Sequence, residues 1–300
     1  RRGKDYPFPR LLFGNMTANS NTIVIATRKS PLALRQAELA AKVVTDRLGF
    51  GAELSPMVTT GDKQASWSLQ ERGGKGLFTK ELELAVLEER ADLAVHSAKD
   101  LPTEMPEGLV LAGFLPREDP RDVLIIRDEI ETPKVIATGS PRRRAQLSER
   151  FPEADWIELR GNVETRLLRI AELHEADATV LAAAGLKRLA IANFPGLRFE
   201  PLPLEQNVPA AGQAAIALQC RTGESERFRQ ACDEVTGQAV HLERAVLGAM
   251  GGGCHLAMGV HLRDGELLVY HEEHGNHSVE VNGLSQEESV DKAMKHLGRA

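Results

Sequence analysis

The sequence is poor in aromatic residues and in cysteine, and it contains no long hydrophobic run. Aromatic side chains make up 4% of the 300 residues, too few for the stacking surfaces on which single-stranded nucleic acids bind. The three cysteines, Cys220, Cys232 and Cys254, form no paired framework and no C-x-x-C spacing. We therefore expect no metal site, and the count suits the reducing cytosol. No apolar stretch approaches the ~20 residues of a transmembrane helix, so we expect no membrane span.

The charge balance also excludes broad classes of partner. The formal net charge is −6 and the pI is about 5.9, which argues against a general electrostatic interaction with nucleic acid or an anionic membrane. Apolar residues make up 42% and charged residues 27% of the chain, as in ordinary soluble proteins. The length predicts two or three domains, each able to bury a core.

The first 20 residues differ from the rest. They are basic and contain only the short apolar patch Leu11-Leu12-Phe13, which is too little for a secretory signal. We predict a disordered extension over residues 1–20 and a cytoplasmic protein, with organelle import left open by the basic extension.

From Thr22 onward, apolar runs alternate with helical patterns. "TIVIAT" predicts a strand, and Ser30-Pro31 predicts the start of a helix. This alternation continues to "ADATVLAAAG" and is typical of parallel α/β sheets. The charged, proline-containing "REDPRD" at 117–122 predicts a crossing between domains. We expect helical segments around "QAAIALQC", "SERFRQACDEV" and "AVHLERAVLGAM", then short strands and a last helix from Gln286.

Cationic and hydroxyl side chains follow almost every predicted strand. In open α/β sheets, ligands bind beyond the carboxyl ends of the strands, where helix N-termini also point. A solvated surface charge is the alternative for any single residue, but the whole pattern favours a cleft for a polyanionic small molecule. The strand-end set comprises Arg28, Ser30, Ser97, Lys99, Thr138, Ser140, Arg142, Arg143, Arg160, Arg166 and Arg188.

Two further features accompany these strand ends. "RGGKGLF" at 72–78 lacks the spacing of a phosphate-binding P-loop, so we interpret it as a glycine-rich lid whose Lys75 can reach an anion. Asp100 is the only acid among the strand-end residues of the first unit. Its carboxylate could stabilise a cation on a substrate or shuttle a proton, and a capping or salt-bridging role is the alternative.

Cys254 stands in "GGGCHLAMG", directly after three glycines. A free thiol at the surface or a partly buried one is the plain interpretation. A covalent role is chemically reasonable, because a thiolate is a strong nucleophile. The adjacent His255 has the wrong geometry for a catalytic base, so attachment of a prosthetic group is favoured over an acyl-enzyme.

Nine motifs, in the same order along the chain, resemble the porphobilinogen deaminase family over residues 23–259. They are "IATRKSPLAL", "GGKGLFTKELE", "DLAVHSAKDLP", "REDPRDV", "TGSPRRRAQL", "LRGNVETRL", "LAAAGLKRL", "VPAAGQAAIALQCR" and "GGGCHLAMG". The sequence departs from the family pattern at Glu71, where a lysine is frequent, and at Ala257, where proline is usual.

The resemblance implies a fold of two periplasmic-binding-protein-like α/β domains joined by a hinge, plus a small C-terminal α+β domain. The expected boundaries are 21–116 with 209–236 for the first domain, 117–208 for the second and 237–300 for the third. It also implies a monomeric transferase of tetrapyrrole (haem) biosynthesis, without nucleic-acid or membrane partners. This enzyme deaminates four porphobilinogen molecules and joins them head to tail into hydroxymethylbilane.

The resemblance further implies roles for individual residues. A dipyrromethane cofactor would be attached by a thioether to Cys254, and Asp100 would be the catalytic aspartate. The binding residues for the acetate and propionate groups would be drawn from the strand-end set, with Lys75 and Gln213. The alternative function, a two-lobed binding protein for a carboxylated small molecule, would need neither a reactive thiol nor Asp100.

Overall fold

Three β-sheets organise the chain in the computed structural model, which describes residues 21–63, 78–252 and 256–299. The predicted extension at 1–20 lies outside the described residues.

The first sheet begins with the N-terminal α/β alternation. Its elements up to residue 114 are β1 (Thr22–Arg28), α1 (Pro31–Leu48), β2 (Gly51–Met57), α2 (Thr60–Lys63), α3 (Lys80–Leu87), β3 (Leu93–Ser97) and β4 (Leu109–Phe114). Strand β1 pairs in parallel with both β2 and β3. The predicted start of α1 is confirmed, because the Ser30 side chain caps the helix and Pro31 is its first residue.

The second sheet repeats this organisation. Its elements are β5 (Asp122–Arg127), β6 (Val135–Ala137), α4 (Pro141–Ser148), β7 (Asp155–Ile157), α5 (Val163–Ala171), β8 (Ala178–Ala182), α6 (Ala183–Arg188) and β9 (Leu197–Pro201). The strand order is β7-β6-β8-β5-β9, with β6 parallel to β7 and β8 and β5 antiparallel to its neighbours. The parallel strands have their carboxyl ends on the same side of the sheet, where α4 follows β6 and α6 follows β8.

The chain then returns to the first sheet. Strand β10 (Ile216–Arg221) inserts antiparallel between β3 and β4, so the first sheet has the order β2-β1-β3-β10-β4. The helix expected around "QAAIALQC" is therefore wrong. The five residues from Ile216 to Cys220 are buried on both faces of the strand, and a short apolar run of this kind does not distinguish a buried strand from a buried helix.

The third sheet is small and antiparallel. After α7 (Ser225–Phe228) and α8 (Glu234–Ala249), it contains β11 (Met258–Arg263), β12 (Glu266–His271) and β13 (Gly275–Glu280), and α9 (Gln286–His296) follows. Helix α9 begins with a capping box between Ser285 and Glu288. Apolar residues of α8, α9 and the three strands form one core, with Val246, Val260 and Ala293 at 0% exposure.

The predicted fold class is confirmed: two α/β units are followed by a small C-terminal α+β unit. Separate hydrophobic clusters lie in the first and second units, one around Ile25 and Leu93 and another around Ile125 and Leu167. The numbered domain boundaries stay a prediction. No described helix combines the length and apolar character that crossing a bilayer requires.

Candidate functional site

Arg28 closes the first strand of the molecule. It is the last residue of β1, whose carboxyl end lies beside that of the parallel strand β3. Its guanidinium forms an ion pair with Asp62, and its Cζ lies 4.3 Å from the centroid of the Phe78 ring. Asp62 in turn accepts a hydrogen bond from the Thr59 hydroxyl at 2.8 Å. The guanidinium is therefore held by the first unit at the edge where the strands end.

The predicted hydroxyl residues of the first unit have structural partners. Ser30 Oγ accepts from the Ala33 backbone N–H at 3.3 Å and caps α1. Ser97 Oγ lies 2.9 Å from the Gln36 side-chain nitrogen, which donates to it. This bond joins the end of β3 to α1, so it fixes the start of the turn that carries Lys99 and Asp100.

Hydroxyl residues also shape the edge of the second sheet. Thr138 Oγ1 accepts from the Ser140 backbone N–H at 3.2 Å, and Ser140 Oγ accepts from the Arg143 N–H at 3.4 Å, capping α4. The neighbouring strand end supplies Arg160, whose Nε lies 3.3 Å from Glu158 Oε1. The two strand ends thus lie side by side, as expected for parallel strands.

Asp122 is the buried centre of the second unit's charged groups. Its side chain has 0% exposure and accepts from Arg142 and Arg143 at 2.7 Å each, from Asn207 at 2.7 Å and from Gln213 at 2.9 Å. Burial alone would raise the pKa of Asp122, but the two guanidinium groups lower it well below its usual range. Asp122 is therefore an anion held by four donors.

The contacts of Arg142 and Arg143 differ from those predicted from the sequence. Both were predicted to bind a ligand, yet both are buried and also donate to backbone carbonyls, at 2.7 Å to Val208 and 2.8 Å to Val180. The Nε of Arg143 is buried and finds no acceptor among the described residues. Sequence analysis missed Asp122; the available signal was an acid at the first position of the apolar run "DVLIIR".

Lys99 lies between the two units. It belongs to a 3₁₀ turn at Ala98–Asp100, and its Nζ donates to Gln213 Oε1 at 3.2 Å. Burial, together with the charge of Arg143, lowers the pKa of Lys99 to about 8, even though Asp100 and Asp122 oppose the shift. The Gln213 side chain therefore bridges a cation of the first unit to the carboxylate of Asp122 in the second.

Arg166 completes the cluster from the second unit. It is partly buried at the first helical turn of α5, and its Nε donates to the Gly161 carbonyl at 2.8 Å. Burial, together with the charges of Arg143 and Arg160, lowers the pKa of Arg166 to about 10, and Asp100 opposes the shift. Asp100, an exposed residue of the first unit, is thus within electrostatic reach of the second unit's arginines.

Arg188 lies where the two units touch. Its Nη2 donates to the Ala214 carbonyl at 2.5 Å, and burial lowers the pKa of Arg188 to about 10. Nearby, a Cβ at Gly185 would lie 3.6 Å from Leu32 Cδ2 of α1. The structure therefore brings together Lys99, Asp100, Arg142, Arg143, Arg160, Arg166 and Gln213, with Arg188 at the contact between the units and Arg28 bound separately by Asp62.

Two predicted residues, Lys75 and Cys254, lie outside the described residues. The described chain before Cys254 stops at Gly252, whose N–H donates to the Leu247 carbonyl at 3.0 Å. A Cβ at Gly252 would lie 3.0 Å from Thr103 Cγ2. The end of α8 therefore packs against the segment that follows Asp100, and Arg244 of α8 donates to the Pro102 carbonyl at 2.6 Å.

Fold and site together define a protein of two α/β units with a cluster of cations between them. The family model described as "Porphobilinogen deaminase, dipyromethane cofactor binding domain" matches residues 23–229. The chain belongs to the porphobilinogen deaminase family, whose members are transferases of tetrapyrrole biosynthesis. The resemblance found in the sequence is thereby confirmed.

Solved structures with a similar arrangement are distant in sequence. The VFT2 domain of BvgS from Bordetella pertussis is 18% identical, over 70% of this chain and 86% of that one, with a TM-score of 0.44. An ABC transporter from Parabacteroides distasonis is 13% identical, over 77% of this chain and 76% of that one, with a TM-score of 0.43. We infer no ligand for this chain from these two proteins.

Proposed function

We propose that the protein is a hydroxymethylbilane synthase. It removes the amino group of four porphobilinogen molecules as ammonia and joins them head to tail into hydroxymethylbilane. A dipyrromethane primer, attached by a thioether to Cys254, carries the reaction until water frees the product. Family membership supports this function, and the observation that carries it is the group formed by Lys99, Asp100 and the arginines around Asp122.

The residues of the cluster fit a dipyrromethane and its substrate. Each pyrrole unit bears an acetate and a propionate, so the bound molecules are polyanions. Burial and neighbouring cations depress the pKa of Lys99 and of Arg166, which means that both cations lack sufficient anionic compensation. A bound carboxylate would supply it through charge-assisted hydrogen bonds, and the buried Nε of Arg143 is a donor that has no acceptor within the described part of the chain.

The binding residues differ in their contacts. We assign direct carboxylate binding to Lys99, Arg160, Arg166 and Arg188. Arg142 and Arg143 are held by Asp122, so we assign them first to shaping the positive field and, through the Nε of Arg143, to one carboxylate. The side chains of Ser30, Ser97, Thr138, Ser140 and Gln213 position the segments that carry these groups. Arg28, held by Asp62, would add positive charge at the end of β1, and Lys75 would reach the ligand from the lid.

Asp100 has the role that requires a carboxylate. When bound, the dipyrromethane supplies the primer end to which substrate is joined. The Asp100 side chain would face a pyrrole nitrogen that becomes positively charged as ammonia leaves, and its negative charge would stabilise that cation. The cations around Asp100 would hold the acidic side groups at the same time.

The proposal extends to the domains. We propose that residues 21–116 with 209–236 form the domain carrying Asp100, that 117–208 form the arginine-rich domain, and that 237–300 form the domain bearing Cys254. The chain would cross from the first domain to the second between β4 and β5 and return between β9 and β10.

Intact-mass spectrometry of the purified chain tests the covalent primer. The native protein should be heavier than its sequence by one dipyrromethane and should colour with Ehrlich's reagent. The Cys254→Ala variant should have the mass of its sequence and be inactive, whereas Cys232→Ala should keep the added mass. Active protein with an unmodified Cys254 would refute the proposal.

The Asp100→Ala variant tests the assignment of the carboxylate. We expect a loss of at least about 100-fold in kcat, as for removal of a group that acts on the reacting atoms, while the added mass of the primer is retained. The matched control is Asp291→Ala, at an exposed position of α9, which should have native activity. Full turnover by Asp100→Ala would remove this residue from the mechanism.

A further inference from the structure

We propose that the third sheet carries a binding site for a divalent transition-metal ion, Zn²⁺ in particular, formed by His271, Glu273 and His274. One nitrogen of each histidine and one carboxylate oxygen of Glu273 all lie within 4.8 Å of one another. The site is separate from the cation cluster and goes beyond the proposed activity. From the sequence we expected no metal site, on the basis of the cysteine spacing alone.

The hairpin between β12 and β13 holds the three side chains together. His271 is the last residue of β12, and Gly275, the first residue of β13, has a φ of 77° that favours glycine. The backbone N–H of His274 donates to the His271 carbonyl at 3.1 Å. The turn is therefore closed by its own backbone, so the three ligands do not depend on a disordered loop to meet.

The protonation state of His271 suits a metal ligand. Its Nδ1 accepts a hydrogen bond from the Glu273 backbone N–H at 3.2 Å, so this nitrogen bears no proton and its lone pair points into the turn. A metal ion would replace one long hydrogen bond of a neutral imidazole.

The donor set selects the kind of ion. Two imidazole nitrogens and one carboxylate are the protein ligands of many open zinc sites, in which water takes the fourth tetrahedral position. Mg²⁺ and Ca²⁺ prefer oxygen ligands alone. The rings of His271 and His274 have centroids 4.9 Å apart and an interplanar angle of 34°. The Glu273 and His274 side chains are exposed, so they are free to turn toward a shared ion, for which ligand distances of about 2.0–2.2 Å are required.

The position of the site suggests what a bound ion would stabilise. In the strand register His271 lies opposite Met258, the first residue of β11. Leu256 and Ala257, the first described residues after Cys254 in the sequence, lead into β11 at this end. On the other side, a Cβ at Gly298 would lie 3.9 Å from His274 Cε1, so the chain after α9 passes the same turn. An ion would therefore fasten the end of the sheet at which the cysteine segment enters.

Calorimetric titration of the chelator-treated full chain with Zn²⁺ tests the site, with four variants as arms. We expect one ion per native chain and an affinity at least about 100-fold weaker in His274→Gln and in Glu273→Gln. Two matched controls remove a neighbouring exposed group of the same type, His296→Gln and Glu272→Gln, and should bind as the native chain does. All four substitutions lie at exposed positions, so circular dichroism should show native folding.

Thermal unfolding provides a second readout that does not depend on catalysis. Because an ion that binds the folded state stabilises it by mass action, saturating Zn²⁺ should raise the Tm of the native chain and of His296→Gln but not that of His274→Gln. The proposal is overturned if the native chain shows no saturable binding. It is also overturned if His274→Gln and His296→Gln bind equally well, or if alkylation of the thiols abolishes the binding.

Discussion

At the scale of single residues, the candidate site depends on how buried charges are compensated. Asp122 is fully buried, and each of its oxygens accepts two hydrogen bonds. A buried carboxylate without partners would be very costly, and so would two buried guanidinium groups. Asp122 compensates the positive charges of Arg142 and Arg143 more fully than those of Lys99 and Arg166. The cluster therefore retains a positive field that favours a bound anion.

Lys99 gives the residue-scale prediction. Its pKa of about 8 lies below the usual value for lysine, so the ammonium form predominates below pH 8 and is lost as the pH rises through 8. Lys99 can form an ion pair with a substrate carboxylate only while its amine is protonated, so the loss of this proton should weaken substrate binding. We expect the KM for porphobilinogen to rise about fivefold between pH 8 and pH 9, in steady-state kinetics from pH 6.5 to 9.5.

The control for this pH profile is Lys99→Arg, because a guanidinium keeps its proton over the whole range. Its KM should lack the rise above pH 8, even if it differs from the native value at neutral pH. A native-like rise in Lys99→Arg would assign the titration to another group, such as the amino group of the substrate.

At the scale of elements, the turn that carries Lys99 and Asp100 is fixed by a close backbone contact. Gly212 has a φ of 73°, and a Cβ built on it would lie 3.0 Å from Ala98 Cβ and 3.3 Å from the Lys99 nitrogen. The adjacent Gln213 is the residue that contacts both Lys99 and Asp122. The segment returning from the second unit thus presses directly on the functional turn.

Gly212→Ala is therefore expected to displace this turn. The left-handed backbone costs about 1–2 kcal/mol for a residue other than glycine, and the contact with Ala98 adds to that cost, so we expect a lower stability together with a clear loss of kcat. Urea unfolding and steady-state kinetics measure the two effects.

The chain offers a matched control at Gly196. Its φ is 76°, and a Cβ there would meet nothing within 4 Å. Gly196→Ala should lose stability through the same backbone strain, while its kcat should remain unchanged. If both variants lose stability equally and neither loses activity, the contact with Ala98 has no part in positioning Lys99 and Asp100.

The same elements show how far sequence analysis could go. Local signals sufficed for α1, where Ser30 and Pro31 mark the first turn, and for the strand ends, since parallel strands bring their following residues to one edge. They failed for β10, whose burial on both faces comes from insertion between β3 and β4, which are 103 or more residues away in the register pairs. Tertiary context decided that element.

The partners of Asp122 could not be predicted from the sequence for a related reason. Arg142 and Arg143 follow it by 20 and 21 residues, but Asn207 and Gln213 follow it by 85 and 91. The sequence could predict that cations gather at the site, because their positions follow the strands. It could not predict which cations are bound internally, because this depends on where the chain returns from the second unit.

At the scale of the whole molecule, one carboxylate connects the three sheets. Glu243 of α8 is fully buried, and its carboxylate accepts from Arg117 at 2.6 Å, before the chain enters the second unit, and from the Gly212 N–H at 2.7 Å, on its return. It also accepts from the Leu262 N–H at 2.9 Å and lies 3.2 Å from His261 Nδ1, both in β11. The crossings and the third sheet are therefore tied to a single side chain.

Removing that charge should weaken the coupling between the units. Burial alone would raise the pKa of Glu243, but Arg117 and His261 lower it. The stability that this ion contributes is thus present above the ordinary pKa of glutamate and is lost as the pH falls through the lowered value. In Glu243→Gln we expect a loss of about 3 kcal/mol at neutral pH, because Arg117, whose side chain is only 12% exposed, loses its ionic partner.

Differential scanning calorimetry distinguishes coupling from a simple loss of stability. The native chain should unfold in one transition, whereas Glu243→Gln should show a separate transition at lower temperature as the third sheet unfolds on its own. Glu266→Gln is the control, since its bond to Arg263 at 3.0 Å lies at the surface of the same sheet, where an ion pair contributes little. A single, unshifted transition in Glu243→Gln would mean that hydrophobic contacts of α8 alone join the three units.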